Sequence, residues 1–261
     1  MSYKINVGIA DIWSKPEFNS ERISQALFNE TIEEIKKVEE YSLVRLKDGY
    51  EGYIRNSFYY DESLQEADDN IVSASIAVAY IGADQRAPTA AILPFTSTIK
   101  VKRLAGEFAV CESARYGDIY IVSDDIVPLN QTPKLTPDMM SVFLDSAKRF
   151  IGVPYLWGGK SFFGFDCSGF VQTNFKFFGI DLPRDTKDQI NVGREISRDK
   201  IKPGDLLFAE NHVSIALNDR KYIHSSLSQG GVYINSLDSS EPNYFKELDV
   251  DLKTIRRIIE S

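Results

Sequence analysis

Thiol and imidazole are scarce in this chain: its 261 residues include two cysteines, Cys111 and Cys167, and two histidines, His212 and His224. A framework of several disulfides is excluded, and at most one bridge is arithmetically open. Any reaction that needs an imidazole must use His212, His224 or both. No stretch approaches the roughly 20 consecutive apolar residues of a membrane-spanning helix. The opening MSYKINVGIADIW lacks the basic start and the apolar run of about 7–15 residues of a secretory signal, so a cytoplasmic location is expected if Met1 is the native start. Positive charge is also short. Thirty Lys and Arg stand against 38 Asp and Glu, for a formal net charge of -8. That balance argues against a nucleic-acid backbone or an anionic membrane as the partner, since both attract cationic surfaces.

What is present is the composition of a folded globular chain, at 43% hydrophobic and 26% charged. The length suits two or three domains. Up to about residue 130 the apolar runs are short and turns recur. Ser42-Leu43-Val44-Arg45-Leu46 and Ile99-Lys100-Val101-Lys102-Arg103-Leu104 alternate as half-buried strands do, and Asp48-Gly49 is a hairpin pair. Two stretches share a loose pattern of strand, tight turn and aromatic-bearing strand, around residues 43–54 and 109–121. This predicts two small β-barrels, over 1–63 and 64–130; a single larger β-domain is the alternative.

Prolines 128, 133 and 137 mark a linker. Beyond it, Thr136 is expected to cap a helix with Pro137 at its first position. Met140, Phe143, Leu144, Ala147 and Phe150 follow at helical spacing, and Gly152 stops the run. A second helix starts near Asp166 and ends at Gly179. Strand-like runs then cover Leu206–Phe208, Val213–Leu217 and Tyr222–His224, with a closing strand over Arg256–Ile259. Residues 131–261 therefore form an α+β domain, helices leading and an antiparallel sheet following.

Cys167 falls in the first turn of the second helix, where unpaired N–H groups and the helix dipole favour negative charge. A thiol so placed is expected to have its pKa lowered from about 8.5 into roughly the 3.5–7.5 range. Its neighbours Gly164, Asp166, Ser168 and Gly169 are small or polar and leave it approachable. His212 and His224 lie on adjoining strands of one predicted hairpin. Thiolate attack on an amide needs a base to hold the thiol proton, His212, and a polar group to orient it, His224. The same three side chains are a possible zinc set with one open position, although no CxxC or HxxxH pair anchors it.

Tyr155-Leu156-Trp157-Gly158-Gly159, then Phe165-Asp166-Cys167-Ser168-Gly169-Phe170-Val171, resembles the signature of the NlpC/P60 cysteine peptidases. Leu182-Pro183-Arg184-Asp185-Thr186, Pro203-Gly204-Asp205-Leu206, His212 and His224 follow in the family's order. The resemblance covers about residues 135–261. Ser24–Phe28 and Asp48–Tyr53 resemble the bacterial SH3-like domains that precede this domain, with the usual tryptophan replaced near Tyr41 and the second copy faint. The implied architecture is multidomain: two small all-β SH3-like barrels followed by an α+β papain-like catalytic domain.

The arrangement resembles the γ-D-glutamyl-L-diamino acid endopeptidases that recycle murein peptides. It implies a small murein peptide, L-Ala-γ-D-Glu-diamino acid, as the partner; a monomer without cofactor or metal is expected. Cys167 is then the nucleophile, His212 the base and His224 its orienting residue. The Cys167 N–H and the Tyr155 hydroxyl would hold the oxyanion. Asp166, Ser168 and Thr186 would contact substrate, Trp157 would line its path, and Asp185 would take the free amine of L-Ala. Glu21 and Tyr53 of the first barrel would close that end of the cleft. An exported hydrolase that binds intact wall, a non-catalytic wall-peptide-binding protein and an acyltransferase on the same scaffold are the alternatives.

Overall fold

Alternating apolar residues and tight turns make the first half of the chain sheet throughout. The structure, a computed structural model, describes residues 2–61, 63 and 67–259. It divides into two compact units, Met1–Thr132 and Pro133–Ser261. The expected boundary between residues 63 and 64 abuts Leu64, which lies outside the described residues.

The first unit holds two seven-stranded sheets. One comprises β1 (Ser2–Ile5), β2 (Ile9–Trp13), β3 (Arg22–Leu27), β4 (Thr31–Val38), β5 (Tyr41–Leu46), β6 (Glu51–Arg55) and β7 (Tyr59–Asp61). The other comprises β8 (Asn70–Val72), β9 (Ile76–Tyr80), β10 (Thr89–Pro94), β11 (Thr98–Ala105), β12 (Phe108–Ser113), β13 (Gly117–Val122) and β14 (Ile126–Pro128). Their orders are β3-β2-β6-β5-β4-β1-β7 and β10-β9-β13-β12-β11-β8-β14. Each member of the second order is the first shifted by seven, so the loose sequence repeat is a repeat of topology. Each sheet wraps its own core, around Ile12, Val44 and Ile54 in one and Val72, Leu93 and Ile121 in the other. Phe28, just past β3, packs into the second core, and a buried Lys4–Asp68 ion pair at 2.7 Å lies beside this junction.

In the second unit, Pro137 opens a short 3-10 turn that runs into α1 (Met140–Lys148). Thr136 occupies the cap position, but its side chain makes no capping bond. Its carbonyl serves instead, accepting from Met139 N–H at 3.0 Å, because the tight first turn closes on the backbone. Strands β15 (Lys160–Ser161) and β16 (Gly164–Phe165) form a small hairpin before α2 (Cys167–Phe177). Beyond α2 come α3 (Thr186–Gln189), β17 (Arg194–Glu195), β18 (Leu206–Ala209), β19 (His212–Ala216), β20 (Lys221–Ser226), β21 (Gly231–Ser236), α4 (Lys246–Val250) and β22 (Thr254–Arg257). The six long-range strands pair in the order β17-β22-β18-β19-β20-β21. The closing strand lies two residues earlier than expected, at Thr254–Arg257, where it pairs with β18.

Helix α2 lies across β19 and β20. Its buried face, Phe170, Val171 and Phe175, continues a chain of edge-on aromatic contacts: Phe150 to Phe165 at 5.2 Å and Phe165 to Phe170 at 5.6 Å. Each fully buried phenylalanine contributes about 1.5–3 kcal/mol. The core thus clamps the segment before Cys167 on both sides. Among the described residues, no helix is long and apolar enough to cross a membrane.

Candidate active site

Asp166 caps α2, its Oδ1 accepting from Gly169 N–H at 2.7 Å. Its Oδ2 accepts from Gly158 N–H at 2.9 Å, and both oxygens receive the buried Arg184 guanidinium, at 3.0 and 2.5 Å. Arg184 also donates to Ser168 Oγ at 2.9 Å. The side chains of Asp166 and Ser168, expected to meet substrate, are therefore occupied inside the protein: they are 7% and 5% exposed and fix the tip of α2. Gly169 is required by close approach. A Cβ there would stand 2.2 Å from the Gly159 carbonyl oxygen.

This tip presents the Cys167 thiol, 6% exposed, to one cleft of about 510 Å³ that His212, His224, Tyr155 and Trp157 also line. Sγ lies 3.7 Å from the Thr186 hydroxyl and donates to the Asn211 carbonyl at 3.8 Å. Asn211, at φ +53°, holds the left-handed turn between β18 and β19, a conformation asparagine tolerates. Burial pushes the thiol pKa up, with the Asp166 carboxylate adding to the effect; the Thr186 hydroxyl and the Val213 and Ser168 N–H groups oppose it. The expected lowering at the helix tip is thus corrected. A sulfur taken out of water loses more ionic solvation than these donors return.

The imidazoles come together across the sheet. Strands β19 and β20 pair Ile215 with Ile223 and Ala216 with Tyr222. Continuing that register sets His212 opposite Ser226, so His224 is its diagonal neighbour on the same face. His212 Nε2 and His224 Nδ1 are 2.7 Å apart. Burial depresses His224 to about 4, and burial with the neighbouring ring depresses His212 to about 3. Both rings are therefore neutral at neutral pH. His212 Nδ1 has no hydrogen-bond partner among the described residues, and no bond joins Sγ to either ring. Among the described residues no three His, Cys, Asp or Glu side chains converge in a metal-binding group.

The remaining expected residues fall in several places. Trp157 lines the cleft and is 57% exposed. Tyr155 is half-buried there; burial, with the Cys167 and Asp166 charges, raises its phenol above the ordinary range, so it remains an O–H donor. Thr186 touches the sulfur, as above. Asp185 precedes it, its carboxylate 3.5 Å from the Lys187 ammonium, and it is not among the residues lining the cleft. Glu21 and Tyr53 belong to the first unit: Glu21 is exposed before β3, and Tyr53 on β6 is half-buried opposite Trp13. Cys111 is also in that unit, buried and pushed up to about 12, and both cysteines are free of disulfides. Of the polar residues at the site that the sequence left without a role, two hold its machinery in place. One is Arg184; the other is Asn235 on β21, whose Oδ1 is 2.9 Å from His224 Nε2. Placement inside the Leu182–Thr186 motif is a signal for the first. Only strand register reveals the second.

The profile of the NlpC/P60 family matches residues 152–249, and that of the bacterial dipeptidyl-peptidase Sh3 domain matches residues 12–57. A gamma-D-glutamyl-L-lysine dipeptidyl-peptidase of Bacillus subtilis is 38% identical over 144 residues, which are 52% of this chain and 47% of that protein's own length. Dipeptidyl-peptidase 6 of Lysinibacillus sphaericus is 26% identical over 268 residues, covering 95% of this chain and 96% of that protein. The crystal structure of an NlpC/P60 family protein from Bacillus cereus superposes with a TM-score of 0.85 over 99% of both chains, at 20% identity, and shares the fold. On its sequence motifs, its fold and these matches, the chain belongs to the NlpC/P60 peptidase family, with a bacterial dipeptidyl-peptidase SH3 domain in its first unit.

Proposed function

We propose that this protein is a cysteine peptidase that hydrolyses the γ-D-glutamyl–L-diamino acid bond of small murein peptides with a free N-terminal L-Ala, in the recycling of cell-wall peptides. The observation that carries the reading is a thiol at a helix tip sharing one cleft with a hydrogen-bonded pair of neutral imidazoles, one of which has a nitrogen with no partner among the described residues. The relatives named as dipeptidyl-peptidases support the substrate class. In the same reading the second seven-stranded sheet is a second SH3-like domain, because it repeats the first one's strand order, and the helix-and-sheet unit is papain-like. The domains then run 1–63, 64–130 and 131–261.

The resting thiol and imidazole are both neutral, so the proton moves as the reaction begins. His212 takes the thiol proton, and the thiolate forms a C–S bond to the scissile carbonyl carbon. The oxyanion is received by the Cys167 N–H at the start of α2 and by the Tyr155 hydroxyl. The C–N bond breaks as His212 returns its proton to the leaving amine, leaving a thioester. Water then attacks, giving a proton to His212, and the C–S bond breaks to release the acid and restore the thiol. Trp157 walls the cleft, Thr186 sits beside the reacting sulfur, and Asp185 contributes negative charge for the substrate's free ammonium.

The test is product analysis with L-Ala-γ-D-Glu-diamino acid and its N-acetylated form. Release of L-Ala-D-Glu from the free peptide, with the acetylated peptide spared, is expected. Cleavage at a different bond, or equal cleavage of both peptides, would overturn the assignment.

A further inference from the structure

We propose that Asn235 is a positioning residue that sets the proton arrangement of both imidazoles and so leaves His212 Nδ1 bare as the base, an inference that rests on His212 acting as the base. An asparagine side chain is unsymmetrical: its oxygen only accepts and its nitrogen only donates. Here the nitrogen donates to the Asn243 carbonyl at 3.1 Å. That carbonyl is held in place, because it also accepts from Ser236 N–H at 2.9 Å, and Asn243 Nδ2 donates to Ile234 O at 3.2 Å. The Asn235 oxygen must then face His224 Nε2, 2.9 Å away.

Each following proton position is forced. An oxygen acceptor requires the His224 proton on Nε2. In a neutral ring that leaves a lone pair on Nδ1, which faces His212 Nε2 at 2.7 Å. The proton between the rings therefore belongs to His212 Nε2, and the His212 lone pair falls on Nδ1, the nitrogen with no partner among the described residues. Reversing the Asn235 amide would reverse every step. The His212 proton would sit on Nδ1, and the ring could not accept one there. The sheet builds this series from diagonal neighbours. His224 pairs with Tyr233, and Asn235 lies two residues further along β21.

The choice of an amide over a carboxylate follows from the same series. A carboxylate beside His224 Nε2 would favour a doubly protonated ring. Its Nδ1 would then donate to His212 Nε2 and drive the His212 proton to Nδ1. The surroundings supply little opposing charge at the ring itself. Against His224 pack His212 at 4.9 Å, Tyr222 at 5.0 Å and Phe245 at 6.0 Å between ring centroids. The other titratable groups lining the cleft are Cys167, Tyr155, Glu210, Glu247 and Asp251. Burial keeps His224 neutral, in line with the depressed pKa.

The direct test is long-range proton–nitrogen NMR of the imidazoles at neutral pH. With two histidines in the whole chain, every signal belongs to this site. In wild type both rings should carry their proton on Nε2. Asn235→Leu should lose that single pattern and lower kcat at least about tenfold with KM nearly unchanged, a wrong tautomer costing up to about 10⁴ in a catalytic imidazole. Asn235→Asp should move the acid limb of kcat/KM to higher pH by about one unit or more, a change that a purely structural role would not produce. A wild-type ring protonated on Nδ1, or a folded Asn235→Asp protein with an unmoved acid limb, would overturn the proposal. The NMR arm needs no turnover. An inactive wild type with the expected protonation would defeat the peptidase reading, and with it the base role of His212, while the proton arrangement set by Asn235 would stand.

Discussion

Cys167 shows how two local effects compete for one sulfur. The helix tip offers N–H groups, while 6% exposure removes the water that would solvate a thiolate. Burial wins, and the thiol waits in its neutral form beside neutral rings. In the proposed reaction negative charge develops only as bonds change, and the Tyr155 hydroxyl is assigned to receive it. Its raised pKa keeps it a donor. We expect Tyr155→Phe to lower kcat by about 10²–10³ while KM changes little, the usual loss for one oxyanion donor; steady-state kinetics with the tripeptide measure it, and an unchanged kcat would remove Tyr155 from that role. At this scale the sequence was most legible where residue types were scarce. With two histidines and two cysteines, the candidate set could hardly be chosen differently. Asn235 was illegible because one asparagine among several acquires meaning only from the pairing of its edge strand with β20, which carries His224.

At the scale of elements, the site depends on how firmly the start of α2 is held. Asp166 and Arg184 form a bidentate pair with side chains 10% and 1% exposed, and the pair closes on Gly158, Ser168 and Gly169. Removing one partner leaves an uncompensated buried charge. Arg184→Ala should therefore cost about 3–5 kcal/mol of stability, read as a shift of the urea midpoint; a loss under about 1 kcal/mol would mean that water reaches Asp166. Helix α2 was readable from its spacing and from Gly179 just past its end, whereas α1 ends at Lys148, four residues before the expected stop at Gly152. Gly152 and Gly179 both adopt positive φ, at +86° and +79°. The Thr136 cap was not realised, since backbone geometry in the opening 3-10 turn competes with the side chain for the same N–H groups. The closing strand was displaced by two residues because pairing with β18, rather than the run of apolar residues, sets its ends.

Across the whole molecule, the same burial makes stability depend on pH in a defined direction. His212 and His224 have folded pKa values of about 3 and 4, against an ordinary 6.5. Between those values the unfolded chain binds more protons, so stability falls as pH drops below about 6.5. Cys167 and Cys111 are raised above an ordinary 9.0, so the unfolded chain releases protons first and stability falls as pH climbs past about 9. Denaturant midpoints should therefore be highest between these limits, and a midpoint that rose steadily from pH 6.5 down to pH 4 would contradict this reading. The repeated β architecture was legible as a rhythm of strand, turn and aromatic strand, but the shared strand order emerges only from pairing across long sequence separations.

The central claim is that one sulfur carries the chemistry. Cys167→Ala removes it while leaving the caps and the core of α2 in place. Incubated with L-Ala-γ-D-Glu-diamino acid, wild type should release L-Ala-D-Glu and the folded variant none; release at the wild-type rate by the variant would contradict the account.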